Sequence, residues 1–299
     1  MCHESSTKPY DLNQGRFLVL VTAILWSLAG LFIKSLELQP LTIVFYRSLF
    51  ASLFFFFFVK KQSWTINGPL FVSMVSYTAA VTAFVSANKL TTAANAIVLQ
   101  YTAPIFVFVF ARFLFQEAIS KLNLTALLLG TLGVGIIFVG SAGEPDIRGV
   151  GVALMSGLFF AIYMTNLRFL KRVDAGYLTL ANNSACCAVL LPLVFSQLSL
   201  SLVEVLTLSV MGILQLGIPY FLFSKGMEKI SLQEASLIVL VEPVLNPIWV
   251  AIVFGEIPSM ATLIGGAIIL SSLGFRYLWL TISLFRGMSQ NKGDTSALD

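Results

Sequence analysis

Ala96-Ile-Val-Leu-Gln-Tyr-Thr-Ala-Pro104 and Ala235-Ser-Leu-Ile-Val-Leu-Val-Glu-Pro243 read as one segment written twice. In each copy an alanine stands eight residues before the proline, and a glutamate, Glu117 or Glu256, stands thirteen residues after it. Each proline sits inside a hydrophobic stretch of roughly twenty residues, long enough to cross a bilayer. Proline lacks the N–H that a helix interior uses and frees a carbonyl one turn earlier, so both stretches are expected to be interrupted membrane helices. Interrupted hydrophobic segments at corresponding places of two halves mark a ligand site near the middle of the membrane.

The composition agrees. Hydrophobic residues make up 58% of the chain and charged residues 11%, with a mean hydropathy of +0.91. Soluble domains carry about 25% charged residues, so the expected class is an all-α integral membrane protein. The 299 residues give room for about ten spans with short loops and for no separate soluble domain. Cys2, Cys186 and Cys187 suggest no disulfide framework, and the adjacent pair is expected to pack between helices. The polar start lacks a small-residue cleavage pattern, so the first hydrophobic segment reads as retained.

Apolar runs and their punctuation predict ten helices, at roughly 17–35, 41–59, 69–87, 93–115, 122–140, 149–167, 175–195, 206–226, 234–254 and 261–281. With the start of the chain in the cytoplasm, the inner side carries Lys8, Arg16, Lys60, Lys61, Arg112, Lys121, Arg168, Lys171, Arg172, Lys225, Lys229, Arg276, Arg286 and Lys292. The outer half keeps only Lys34, Arg47, Lys89 and Arg148. Fourteen against four is a strong positive-inside bias, and it places both termini in the cytoplasm of a multi-pass cell-membrane protein. These positions account for the net charge of +4 without a nucleic-acid partner. The duplication divides the chain at the polar linker Ser141–Arg148 into repeats over 1–141 and 149–285, with a tail at 286–299. Five helices per repeat is an odd number, so the second repeat enters the membrane in the opposite sense. Two inverted five-helix repeats let one central site face each side in turn.

These features resemble the EamA-type family of the drug/metabolite transporter superfamily. The residues that carry the likeness run along almost the whole chain. They are Leu25-Trp26-Ser27 and Lys34, Tyr46-Arg47 with Ala51, Thr92-Ala-Ala-Asn-Ala96 with Pro104 and Glu117, and Gly149-Val-Gly151 with Ala161-Ile-Tyr163. Glu242-Pro243, Gly255-Glu256 and Gly265-Gly266 complete the series. Two departures stand out: Ala103 occupies the place of Glu242 in the first copy, and the glutamate-to-glycine spacing in helix five exceeds that in helix ten. The resemblance implies a ten-helix carrier with a central cavity bordered by helices one, three, four, six, eight and nine. Members of the family move amino acids, purine-type compounds and other small metabolites.

The charged residues narrow the candidate site. All five aspartates lie in loops or tails, and eight of nine glutamates lie at helix ends or outside. Glu242 alone falls well within a span, about 12 Å from the inner edge of helix nine. An ionisable group at that depth usually faces a cavity or a partner. It could bind a substrate amine, exchange a proton, or brace the backbone loosened by Pro243. Arg47, the one basic residue clearly within a span, sits about 9 Å below the outer edge of helix two. It could bind a substrate carboxylate, or else snorkel outward or bond helix-end carbonyls. The two levels differ by roughly 9 Å, so a direct pair would need both side chains to lean toward each other. Trp26, Tyr77, Gln100, Tyr101, Tyr163, Gln215, Tyr220 and Asn246 are the polar and aromatic residues at mid-span depth. Such side chains suit a pocket for an amphipathic metabolite, and equally suit contacts between helices. Gln100 and Tyr101 stand out because Pro104 frees a carbonyl beside them. Pro104 and Pro243 are the expected kinks. Phe54 to Phe58, Trp64, Trp249 and Trp279 read as packing or interface residues, and Lys60-Lys61 and Arg168-Lys171-Arg172 as topology signals.

The expected function is a secondary or facilitative carrier of a small organic metabolite by alternating access, an amino acid or derivative first, nucleoside-like metabolites such as S-adenosylmethionine or purines second. A channel or non-transporting subunit is the alternative of another class. An enzyme is not expected: the only histidine is His3, and a single deep carboxylate lacks an acidic partner. No phosphate-cradling glycine-lysine loop is present for ATP-driven pumping. No metal and no cofactor is implied. The expected partners are a small-molecule substrate and the lipid bilayer, with the oligomeric state left open between monomer and homodimer.

Overall fold

The computed structural model describes residues 9–59, 66–90, 93–141, 147–195, 199–255 and 260–295. Lys8, Lys60, Lys61, Trp64, Thr92, Asp146 and Glu256, singled out above, lie outside the described residues. The described chain forms ten apolar helical segments. They are α1 (Pro9–Trp26, then Ala29–Lys34), α2 (Pro40–Phe56), α3 (Gly68–Leu90), α4 (Ala93–Gln100, then Ala103–Phe115) and α5 (Lys121–Ser141). The second series is α6 (Ile147–Asn166 with a 3-10 turn Leu167–Phe169), α7 (Ala175–Val194), α8 (Leu202–Val210, Met211–Gly217, Ile218–Met227), α9 (Leu232–Ile238, Val239–Val241, Glu242–Phe254) and α10 (Met260–Thr295). Among the described residues, nine helices are long and apolar enough to cross a membrane. The tenth segment, α2, has 17 residues, about 25 Å of helix.

Side-chain exposure runs opposite to that of a soluble protein. Phe17, Phe57, Phe113, Leu128 and Val139 are exposed, while Arg47, Asn182, Asn183, Glu234 and Arg276 are buried. Exposed apolar surface on this scale has to be covered by lipid. The Phe54–Phe58 run follows this logic, with Phe55 buried and Phe56 to Phe58 outward.

Local chemistry sets the ends. The second half of α4 stops at Gln116, in the left-handed conformation with φ 54°, and that of α9 stops at Gly255, with φ 70°. Each stands one residue before the duplicated glutamate, so the likeness of the copies extends to their termination. Ser231 caps α9 by accepting from the Glu234 N–H at 3.1 Å, and Ser201 and Glu204 form a reciprocal capping box at the start of α8. α10 differs from expectation. It continues to Thr295 rather than ending near 281, because Gly287 and Gly293 are its only weak helix formers there and no proline stops it.

Packing is tightest where glycines let backbones meet. A Cβ on Gly133 of α5 would stand 2.6 Å from the Gly265 carbonyl oxygen of α10, and one on Gly226 of α8 would stand 3.0 Å from that of Gly15 in α1. These contacts bind α5 to α10 and α1 to α8 in the manner of small-residue membrane interfaces. Asn166, at the end of α6, donates to the Pro69 carbonyl at the start of α3. This contact fixes one end of the bundle, where Arg16, Arg168, Lys225, Lys229 and Arg276 also lie; it is called the basic end below.

Candidate functional site

Four helices lose regular α geometry near the middle of the bundle: α1 at Ser27–Leu28, α4 at Tyr101–Thr102, α8 over Met211–Gly217 and α9 over Val239–Val241. Pro104 and Pro243 stand in the first turn of the second helical pieces of α4 and α9, where a missing N–H costs nothing. They therefore close breaks just before them rather than bend continuous helices. The freed Gln100 carbonyl is used in packing: a Cβ on Gly157 of α6 would stand 2.8 Å from it. In α8 the break is a π-helical segment. Pro219 cannot donate to the carbonyl four residues earlier, that of Gln215, and Gly212 brings the segment against the Arg47 carbonyl of α2.

Between these breaks lies a cavity lined by Trp26, Arg47, Val81, Phe84, Gln100, Phe160, Gln215, Leu216, Tyr220 and Glu242, with a volume of about 30 Å³. That is room for one or two waters, against about 300 Å³ or more for a typical metabolite pocket. The conformation is contracted around its site.

Two opposite charges face this cavity, each held by a neutral partner. Arg47 donates through Nη2 to the Gln215 side-chain oxygen, and Gln215 in turn donates to the Trp26 carbonyl at 3.4 Å. Tyr101 donates its hydroxyl to Glu242. Arg47 is 3% exposed and Glu242 5%. Gln100 donates to Ser156 at 2.9 Å, and Ser156 donates to the Ala80 carbonyl. Two cavity-lining donors, the Trp26 indole N–H and the Arg47 Nε–H, meet no acceptor among the described residues.

Toward the basic end the cavity has an aromatic floor. The Trp26 ring lies 4.8 Å from Tyr220, 5.1 Å from Phe223 and 5.4 Å from Phe160. Tyr220 meets Tyr77 at 4.7 Å and Tyr163 at 5.5 Å, edge to face. Tyr77 also donates to Asn183 at 2.8 Å.

The site residues expected from sequence are thus separated into three groups. Trp26, Arg47, Gln100, Gln215, Tyr220 and Glu242 line the cavity, and Tyr101 holds Glu242. Tyr77 and Tyr163 are in the floor behind Tyr220. Asn246 is elsewhere: its amide donates to the Ser27 carbonyl at 2.7 Å, and Trp249 donates to the Ser27 hydroxyl at 2.7 Å. Those bonds satisfy the break in α1, which sequence reasoning did not identify. Trp249 is therefore specific to that break, whereas Trp279 is exposed beside Phe275. Among the described residues no group of histidine, cysteine, aspartate and glutamate could hold a metal ion.

The profile of the EamA-like transporter family matches the chain twice, over residues 13–139 and 147–277. An uncharacterized transporter from Archaeoglobus fulgidus is 26% identical over 265 residues, covering 88% of this chain and 96% of that protein. The uncharacterized transporter YdfC from Bacillus subtilis is 26% identical over 199 residues, 64% of each chain. A solved crystal structure superposes with a TM-score of 0.78 over 89% of this chain and 98% of its own, at 17% identity, which fixes the fold alone. The chain belongs to the EamA-like transporter family and is built from two copies of its repeat.

Proposed function

We propose that this transporter carries a small zwitterionic metabolite, an amino acid or close derivative, by alternating access across the cell membrane, and catalyses no reaction. One observation carries the reading. Arg47 and Glu242, of opposite formal charge, line one cavity while each is bonded to a neutral side chain rather than to the other. A free carboxylate can be received by the guanidinium and a free ammonium by Glu242, in a site where water is scarce and such bonds are strong. The two unpartnered donors, on Trp26 and Arg47, supply further places for carboxylate oxygens. The contracted cavity supports a carrier over an open channel, since cargo enters only when helices part. Repeats of five spans each, ten in all with the basic end in the cytoplasm, fit the distribution of lysine and arginine.

A thermal-shift screen of the purified protein against amino acids, amines, carboxylates and nucleosides tests this reading. Zwitterions should raise the Tm of the parent and not that of Glu242→Gln or Arg47→Gln. Stabilisation by nucleosides or purines alone would replace the amino-acid reading with the nucleoside-like one. In proteoliposomes, the zwitterion found should show saturable counterflow; unsaturable flux would indicate a channel.

A further inference from the structure

Below the aromatic floor, one chain of polar contacts crosses the basic end and joins six helices. Arg16 Nε of α1 donates to Glu234 Oε1 of α9 at 2.8 Å, and Arg276 Nη1 of α10 reaches the same oxygen at 3.4 Å. Arg276 Nε donates to Asn123 of α5 at 2.9 Å, and Asn123 donates to Gln233 of α9 at 3.1 Å. Gln233 donates to Glu117 at 3.4 Å and to the Ala118 carbonyl at 3.3 Å, just past the end of α4. Glu117 is paired with Arg168 in the 3-10 turn that ends α6.

This chain is built unlike a set of surface ion pairs. Glu234 and Arg276 are buried. Two guanidiniums converge on one carboxylate oxygen, and both lie over the Tyr277 ring, at 5.5 Å for Arg16 and 5.0 Å for Arg276. Without the carboxylate, two like charges would face each other where screening is weak. Glu234 therefore governs whether α1 stays against α9 and α10.

The position is that of a closure. Glu234 lies eight residues before Glu242 on α9, about 12 Å nearer the basic end. Arg16 lies ten residues before Trp26 on α1, about 15 Å nearer it. Any route from the cavity to the basic end must pass the floor and then this chain. Its links are of two kinds. Lys229 holds Asp11 at 3.2 Å and Gln14 at 2.7 Å, so the ends of α8 and α1 move together, as the Gly15–Gly226 contact also requires. Arg16–Glu234 and Gln233–Glu117 instead connect helices that are not joined by such glycine contacts.

We propose that this chain is the gate at the basic end, that Glu234 is its latch, and that Arg16–Glu234 is the link that parts when the cavity opens there. The proposal rests on the carrier reading, but its test needs no substrate. In the full chain with its three cysteines replaced by alanine, Val81→Cys places one reporter thiol in the cavity lining. After reconstitution, a membrane-impermeant maleimide is applied from the basic side or from the opposite side.

Glu234→Gln should raise the labelling rate from the basic side by about tenfold or more, a shift of the open population, without raising it from the other side. Arg16→Gln, which keeps Glu234 bonded to Arg276, should act in the same direction, and it keeps the test decisive if Glu234→Gln does not fold. Unchanged basic-side labelling in Arg16→Gln would overturn the gate and leave the carrier reading standing. Equal increases from both sides would also overturn it, since they would indicate general loosening.

Discussion

The hydroxyl of Tyr101 donates to the carboxylate of Glu242, joining the two copies of the duplicated stretch at the middle of the bundle. Tyr101 stands three residues before Pro104, and Glu242 one residue before Pro243. The bond therefore links α4 and α9 at their breaks. Tyr101→Phe keeps the ring and removes the donor, leaving a buried oxygen short of a partner. It should cost about 1–3 kcal/mol, read by denaturant titration in detergent micelles. Glu242→Gln should cost less, because its amide oxygen still accepts from Tyr101. If Tyr101→Phe is as stable as the parent, the bond contributes nothing to holding α4 against α9.

Gln116 and Gly255 adopt the same left-handed conformation at corresponding helix ends, φ 54° and 70°. Only glycine does so without a steric penalty, roughly 1 kcal/mol for other residues. Gln116→Gly should therefore stabilise the protein by a few tenths to about 1 kcal/mol, and Gly255→Ala should destabilise it by a similar amount. A Gln116→Gly variant that melts below the parent would show that the Gln116 side chain does more at this end than its backbone conformation reveals.

How much of this was legible in the sequence differs from helix to helix. The breaks in α4 and α9 could be read because proline announces a missing donor, and Arg47 and Glu242 because a charge within an apolar run is rare. The break in α1 could not: Trp26-Ser27-Leu28 contains no proline or glycine, and it is satisfied by Asn246 and Trp249 from more than 200 residues away. The π segment of α8 left only a faint trace in Gly212, Gly217 and Pro219, since its geometry depends on Gly212 meeting α2. Glu234 read as an ordinary glutamate in a first helical turn, three residues after its capping serine. That reading was correct for its backbone and silent about the two arginines its carboxylate receives.

Gly133 and Gly135 are two residues apart in α5 and should respond in opposite directions. A Cβ on Gly133 would meet the Gly265 oxygen at 2.6 Å and Ile269 Cγ1 at 2.7 Å, whereas one on Gly135 would meet nothing within 4 Å. Gly133→Ala should cost about 1–3 kcal/mol by forcing α5 from α10. Gly135→Ala should be neutral or stabilising by up to about 1 kcal/mol. Thermal melts of the two variants side by side check the assignment, and equal losses in both would contradict the close approach of α5 to α10 at this one point.

The charge distribution makes a topological prediction independent of any side-chain contact. Single cysteines at Asp146→Cys and Asp294→Cys, in a background without other cysteines, should be labelled from opposite sides of the membrane by an impermeant reagent. Labelling of both from one side would exclude ten spans with both termini in the cytoplasm.

The prolines give the last prediction. In a continuous helix, an alanine at either position could donate to the carbonyl four residues earlier, that of Gln100 or Val239, and so favour closing the breaks at Tyr101–Thr102 and Val239–Val241. Closing the first would draw the Gln100 carbonyl away from Gly157 and turn Tyr101 away from Glu242. Closing the second would rotate Glu242, which lines the cavity. Pro104→Ala and Pro243→Ala should therefore insert and fold normally, with unchanged or higher Tm, yet lose most of their counterflow of the zwitterion identified by the screen. The double variant should lose no more than the worse of the two singles if both breaks serve one cavity, because effects within a shared site do not add. Normal counterflow in both single variants would confine the prolines to packing and place the moving parts of the cavity in α1 and α8 instead.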